Sequence, residues 1–242
     1  MQSNPSLKGR AVVLAGGAGG LGSAVAALLG QEGARLIVSY HRNRERAEAL
    51  VDVSAVVCAD LASAADRQRL LDAAPSLYGL VVLVGDPARV KDADQTEGAM
   101  KISHEVNYLG PVLLARDAAQ RMKSSATPGA IVLVSTMQAN ALFPGSTVYA
   151  AQKAALQHAA RILARESRGE LNIRVNVVSP GIIAAGMAEA SIASGKYDRF
   201  IKENVIGRFG RAEDIARVIR LFLEPDNYIT GQVLCVDGGI TL

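Results

Sequence analysis

Ala11-Val12-Val13-Leu14-Ala15-Gly16-Gly17-Ala18-Gly19-Gly20-Leu21-Gly22 is a short apolar run that ends in a cluster of glycines, with an uncharged stretch following as far as Gln31. The run reads as a buried strand, the cluster as a turn, and the stretch from Leu21 to Gln31 as a helix. Strand, glycine turn and helix in that order open a βαβ unit, and the turn carries the residues that hold a dinucleotide. Gly16 makes the tight turn, Gly20 lets the backbone approach a pyrophosphate, and Gly22 packs the helix against the sheet. The pyrophosphate then rests on free N–H groups at the positive end of the helix. Residues 11–31 carry no charge and follow Lys8 and Arg10, as in a signal peptide or a membrane span. The clustered glycines argue against a continuous apolar helix, and no small-residue cleavage site stands out, so the expectation is a soluble chain without a membrane partner.

Beyond the turn, β-branched runs alternate with amphipathic or Ala-rich stretches. Strands are expected near Ala11–Ala15, Arg35–Ser39, Ala55–Cys58, Leu80–Val84, Ala130–Ser135, Ile173–Val178 and Gln232–Val236. Helices are expected near Leu21–Gln31, Arg44–Val51, Ala64–Ala73, Glu97–Met122, Val148–Arg168, Met187–Asn204 and Ala212–Leu223. The alternation predicts one α/β domain spanning residues 1–242, a doubly wound seven-stranded parallel sheet with helices on both faces. Its 242 residues are half apolar but contain no tryptophan, so Ala, Val, Leu, Ile and Gly fill the core. A net charge of +3 gives no electrostatic support for a nucleic-acid partner. Cys58 and Cys235 are far apart in apolar runs and, like His41, His104 and His158, lack metal-ligand spacing. Both cysteines read as reduced core residues of a cytoplasmic protein.

After the second strand comes Ser39-Tyr40-His41-Arg42-Asn43-Arg44, with no acid before Glu45. A site for NAD presents an Asp or Glu there to the ribose hydroxyls. Arg42 instead suits bidentate capture of a 2′-phosphate beside Tyr40, with His41, Arg44 or Ser39 assisting, which favours NADP(H) over NAD(H). Asp60 reads as an adenine partner or as part of a helix start. Tyr149 and Lys153 are four residues apart on one helix face, and Thr136 ends the preceding strand. A phenol acidified by a nearby ammonium can pass a proton to or from a carbonyl oxygen, with the Thr136 hydroxyl bonding the same oxygen.

As an ordered set these pieces resemble the short-chain dehydrogenase/reductase family over essentially the whole chain. The set comprises the glycine turn, Asp60-Leu61, Asn107-Tyr108-Leu109-Gly110, Tyr149-x-x-x-Lys153, Arg174-Val175-Asn176, Ser179-Pro180-Gly181, Tyr228-Ile229-Thr230-Gly231-Gln232 and Asp237-Gly238-Gly239. Gly207–Asp214 resembles a segment common in the family's 3-oxoacyl reductases. The resemblance implies a Rossmann-type fold, a tetramer or dimer, and Tyr149 as acid/base. It also implies that Lys153 tunes Tyr149 and holds the nicotinamide ribose, and that Asn107 positions a water. Leu21, Leu61, Gly85, Pro180, Gly181 and Ile183 join the cofactor contacts on the same ground. The expected function is NADPH-dependent reduction of a ketone or 3-oxoacyl thioester, and NAD-linked alcohol oxidation is the alternative direction.

The chain departs from the family pattern in four places. Thr136 replaces a serine, Val84-Gly85-Asp86-Pro87-Ala88 replaces an Asn-Asn-Ala-Gly stretch whose amides steady the cofactor wall, Ala185 replaces a threonine, and Ala15 opens the glycine turn in place of threonine. These departures keep open a catalytically quiet NADP(H)-binding regulator or interaction protein. The substrate pocket is expected between Thr136–Pro144 and a mobile lid near residues 182–206. Gln138, Asn140, Leu142, Phe143, Met187, Ile192, Tyr197 and Phe200 are candidate lining residues. Arg161, Arg165 and Arg168 share a helix face that is either solvated or turned to an acidic carrier.

Overall fold

A computed structural model describes residues 7–90 and 93–242. Its seven strands are β1 (Ala11–Ala15), β2 (Arg35–Tyr40), β3 (Val53–Cys58), β4 (Leu77–Val82), β5 (Gly129–Val134), β6 (Ile173–Pro180) and β7 (Val233–Val236). They form one sheet in the order β3-β2-β1-β4-β5-β6-β7, every neighbouring pair parallel. The order reverses between β1 and β4, and at that switch point the carboxyl ends open a crevice. The helices are α1 (Gly20–Gln31), α2 (Arg44–Glu48), α3 (Ala64–Asp72), α4 (Thr96–His104), α5 (Gly110–Ser124), α6 (Thr147–Glu166), α7 (Glu189–Ala193), α8 (Asp198–Lys202) and α9 (Ala212–Leu223). The doubly wound architecture expected from the alternation is the one observed.

Alternation along β1 divides the core. Ala11, Val13 and Ala15 face Leu70 and Leu71 of α3, Leu114 and Ala118 of α5, and Leu156 and Ala160 of α6. Val12 and Leu14 face Val25 and Leu29 of α1 with Ile215, Ile219 and Phe222 of α9. A central strand buried on both faces must be apolar at every position, which is why β1, β4 and β5 read as unbroken apolar runs.

Two expected helices are interrupted. The run Glu97–Met122 passes through a π-helical turn at Glu105–Leu109 between α4 and α5. Pro111 has no N–H for the carbonyl of Asn107 four residues back, and the Gly110 N–H reaches Glu105 O instead. Met187–Asn204 is divided into α7 and α8, where Gly195 adopts φ +75°. Cys58 and Cys235 are exposed, not core residues, because they lie on the edge strands β3 and β7. Arg161, Arg165 and Arg168 are exposed.

The carboxyl end of α9 is tied to the sheet by side chains. Arg174 of β6, almost wholly buried, donates to Phe222 O (2.8 Å) and Glu224 O (2.7 Å), and the Tyr78 hydroxyl of β4 donates to Leu223 O (2.7 Å). These bonds satisfy carbonyls that a helix end leaves without partners. Replacing Arg174 with Met should cost about 2 kcal/mol and lower Tm by roughly 4–8 °C, read by thermal unfolding. An unchanged Tm would mean that α9 does not depend on this capping.

Candidate active site

One cleft of about 1300 Å³ runs along the carboxyl ends of the strands. Of the residues expected to hold the cofactor, all but Arg44 line it: Gly16, Gly20, Leu21, Gly22, Ser39, Tyr40, His41, Arg42, Asp60, Leu61, Gly85, Tyr149, Lys153, Pro180, Gly181 and Ile183. Thr136 lines it as well, whereas Asn107 lies fully buried behind its wall.

At the outer end, Gly16 adopts φ +78° and its N–H donates to Ser39 Oγ (3.1 Å), so the Ser39 hydroxyl braces the turn. A Cβ on Gly22 would fall 2.2 Å from Gly17 O, so this glycine packs the helix against the turn and not against the sheet. Gly19 precedes α1 without a side-chain capping bond, and the first turn holds no acid. The helix N-terminus therefore has no side-chain cap, and the room left by Gly20 is taken by the backbone at Gly186, whose N would stand 2.6 Å from an added Cβ. Arg42 and His41 are exposed on the cleft wall, and Arg46 joins them. Arg44, expected to assist, is instead ion-paired with Glu48 (2.8 Å). Arg46 went unnoticed in the sequence although it lies one helical turn beyond Arg42. Asp60 lines the cleft while accepting from the Ala62 N–H (3.0 Å), and the capping of α3 falls to Ser63. An uncapped helix N-terminus beside a basic wall at the end of β2 fits a dinucleotide cofactor.

At the inner end, α6 carries Tyr149 and Lys153 past the end of β5. The buried Lys153 ammonium donates to Val84 O (3.1 Å) and Val134 O (3.0 Å), leaving a third N–H uncommitted to either carbonyl. Burial pushes Lys153 down to about 7. Tyr149 is partly buried, lines the cleft and has the Thr136 hydroxyl near its phenol, while the Thr136 Oγ1 accepts from Gln138 N (3.3 Å). The Tyr149 phenol is pushed up to about 12: burial dominates, the nearby Thr136 hydroxyl opposes it, and the Asp86 charge adds to it. The expected acidification by Lys153 is not found in the free chain: burial and the Asp86 charge raise the phenol, and Lys153, itself driven toward neutrality by burial, is not among the groups that lower it.

Asn107 differs most from expectation. Its Oδ1 accepts from Asp86 N (2.9 Å), and its Nδ2 donates to Asp86 O (2.9 Å) and Ser103 Oγ (3.0 Å). The Gly85-Asp86-Pro87 loop is therefore steadied from behind by Asn107, which supplies amide bonds the loop itself lacks. On the substrate side, Gln138, Phe143, Met187, Tyr197 and Phe200 line the cleft, whereas Asn140, Leu142 and Ile192 do not. Asn140 bonds Ser179 and Cys235, and Leu142 is fully exposed. Arg89 was missed: it donates to Met187 O (3.1 Å) and Ser191 Oγ (3.2 Å), joining the loop after β4 to the segment around α7.

Comparison with known proteins agrees with this geometry. The model of a family described as enoyl-(acyl carrier protein) reductase matches residues 16–241. The NADPH-dependent aldehyde reductase 2, chloroplastic, of Arabidopsis thaliana is 30% identical over 98% of this chain and 95% of its own length. Carbonyl reductase family member 4 of Danio rerio is 33% identical over 96% of this chain and 98% of its own length. A solved short-chain dehydrogenase/reductase from Serratia marcescens superposes with a TM-score of 0.87 at 28% identity, covering 98% of this chain and all of that one. With the glycine turn, the parallel sheet and the Tyr149–Lys153 pair in one cleft, the chain is an oxidoreductase that belongs to the short-chain dehydrogenase/reductase family.

Proposed function

We propose that the protein reduces a small carbonyl compound, a ketone or 3-oxoacyl thioester, to the alcohol with NADPH. The carrying observation is the meeting of Tyr149, Thr136 and Lys153 at the inner end of a cleft whose outer end is basic. A relative whose name specifies NADPH-dependent aldehyde reduction supports the cofactor and the direction. NADPH, when bound, supplies the hydride. Tyr149 gives its proton to the carbonyl oxygen, and a phenol raised to about 12 is fully protonated at neutral pH. Thr136 steadies the same oxygen as charge develops. The remaining N–H of Lys153 holds the nicotinamide ribose, and Arg42, Arg46 and His41 hold the 2′-phosphate. The side chain of Asn107 is committed to Asp86 and Ser103. Any water it positions is therefore held by its main-chain carbonyl, which Pro111 deprives of an α-helical partner. Met187, Tyr197 and Phe200 shield the reacting carbon from bulk water as part of a lid over residues 182–206.

Tyr149→Phe should lower kcat at least about a thousandfold while NADPH affinity, read by nicotinamide fluorescence, changes less than about threefold. Near-wild-type turnover in that variant would rule out the mechanism, and absence of turnover by the wild-type protein across a ketone, aldehyde and acetoacetyl-CoA panel would rule out the activity. Arg42→Ala should weaken NADPH binding about tenfold or more and leave NADH binding within about twofold. Equal losses for both cofactors would place the 2′-phosphate elsewhere.

Lys153 predicts a pH effect that needs no turnover. Its folded value of about 7 lies below the ordinary 10.5, so between those values the unfolded chain binds more protons. This group's contribution to stability therefore rises with pH from about 7 toward 10.5. In thermal melts of the cofactor-free protein, wild type should gain about 2 kcal/mol between pH 7 and 9 relative to Lys153→Met. Parallel pH profiles for the two proteins would show that the buried ammonium is not perturbed.

A further inference from the structure

Gln157 stands four residues beyond Lys153 and eight beyond Tyr149 on α6, on the face turned to the sheet, and is almost wholly buried. Its Nε2 donates to Ser135 Oγ (3.0 Å) and to Ser179 Oγ (2.9 Å). Ser135 precedes Thr136 at the end of β5, and Ser179 precedes Pro180 at the end of β6. Each serine passes the contact on to the catalytic segment. Ser135 Oγ donates to Lys153 O (3.2 Å), and Ser179 Oγ donates to Thr136 O (3.1 Å). Asn140 adds a second donor to Ser179 Oγ (3.0 Å).

The proton count makes this arrangement specific. A hydroxyl has one proton, and a carbonyl can only accept. Both serines spend their protons on the carbonyls of Lys153 and Thr136, so each must accept from its remaining neighbour. Between them the structure places one amide nitrogen with two N–H groups. A chain of hydrogen bonds thus runs Lys153 O, Ser135, Gln157, Ser179, Thr136 O, and links α6 to the ends of β5 and β6. Buried, with both Gln157 N–H groups and both serine protons paired, such a chain holds its members more firmly than isolated bonds would.

We propose that Gln157 is a positioning residue: by bridging Ser135 and Ser179 it fixes Thr136 against Tyr149 and so governs the rate of the proton-transfer step, with little effect on cofactor or substrate binding. This rests on the reading of Tyr149 as the proton donor. Thr136 and Tyr149 must bond one substrate oxygen together, and displacement of a catalytic group by about 1 Å can cost on the order of a hundredfold in rate.

Gln157→Met keeps the length of the side chain and removes both donors. Expected are a fall in kcat of about ten- to a hundredfold with acetoacetyl-CoA or whichever panel carbonyl the wild type reduces, and KM and NADPH affinity within about twofold. Gln120→Met, on an exposed helix surface, should match wild type. A second readout is independent of turnover. With [13Cζ]tyrosine, the Tyr149 resonance, assigned through Tyr149→Phe, should shift in Gln157→Met, and its titration should begin at higher pH as the Thr136 hydroxyl that opposes burial moves away from the phenol. Should the wild type reduce no carbonyl, the proposed activity fails, and this resonance alone then decides the positioning role. If Gln157→Met does not fold, Ser179→Ala removes one link of the same chain and is read in the same way. A lowered Tm accompanied by wild-type kcat and an unmoved Tyr149 resonance overturns the proposal and leaves Gln157 as a packing residue.

Discussion

A lysine ammonium held out of water is the constraint on which the cleft depends. Lys153 donates to Val84 O and Val134 O, which follow or end adjacent parallel strands, β4 and β5. Such a charge is costly to bury unless it is hydrogen-bonded, and only the parallel pairing of β4 with β5 brings two main-chain acceptors within its reach. Tyr149 follows from the same constraint, because it lies one turn back on the helix that delivers the lysine. The glycine turn after β1 faces the other side of the switch point, so the cofactor end and the chemistry end share one crevice.

The departures from the family pattern look different once the chain is folded. Gly85-Asp86-Pro87 lacks side-chain amides, yet its main chain is held at both polar atoms of Asp86 by the Asn107 side chain. Gly85 also leaves room there, since a Cβ would stand 3.3 Å from Asn107 Oδ1 and 3.4 Å from Lys153 Nζ. Thr136 keeps its hydroxyl beside Tyr149. The price is that Asp86 brings a negative charge toward the phenol and adds to its raised value. The raised value keeps the phenol protonated at neutral pH.

Where the sequence misled, the reason was a contact far along the chain. Glu97–Met122 has helical character throughout, and Pro111 marks a local fault, but the π-helical turn matters because Asn107 within it reaches a loop 21 residues away. Cys58 and Cys235 sit in apolar runs typical of core strands, but both runs lie at sheet edges, and strand order is not a local property. Arg44 and Arg46 are equally basic in sequence. The i,i+4 pairing with Glu48 occupies Arg44 and leaves Arg46 on the cleft wall. Gln157 carries no sequence signal at all, since its partners Ser135 and Ser179 are each 22 residues away.

Whatever depends on periodicity, backbone freedom or short spacing was determined by the sequence alone. That covers the two-faced apolar strands, the glycine turn with its left-handed Gly16, the Tyr149–Lys153 face, and the basic, acid-free end of β2. These are legible because each rests on interactions within a few residues along the chain. The tertiary structure alone decided which carbonyls receive the Lys153 ammonium, that Asn107 braces a loop, and that Gln157 joins two strand ends to α6. Those outcomes depend on hydrogen-bond partners within about 3 Å of one another, and only the packed sheet and helices bring them that close.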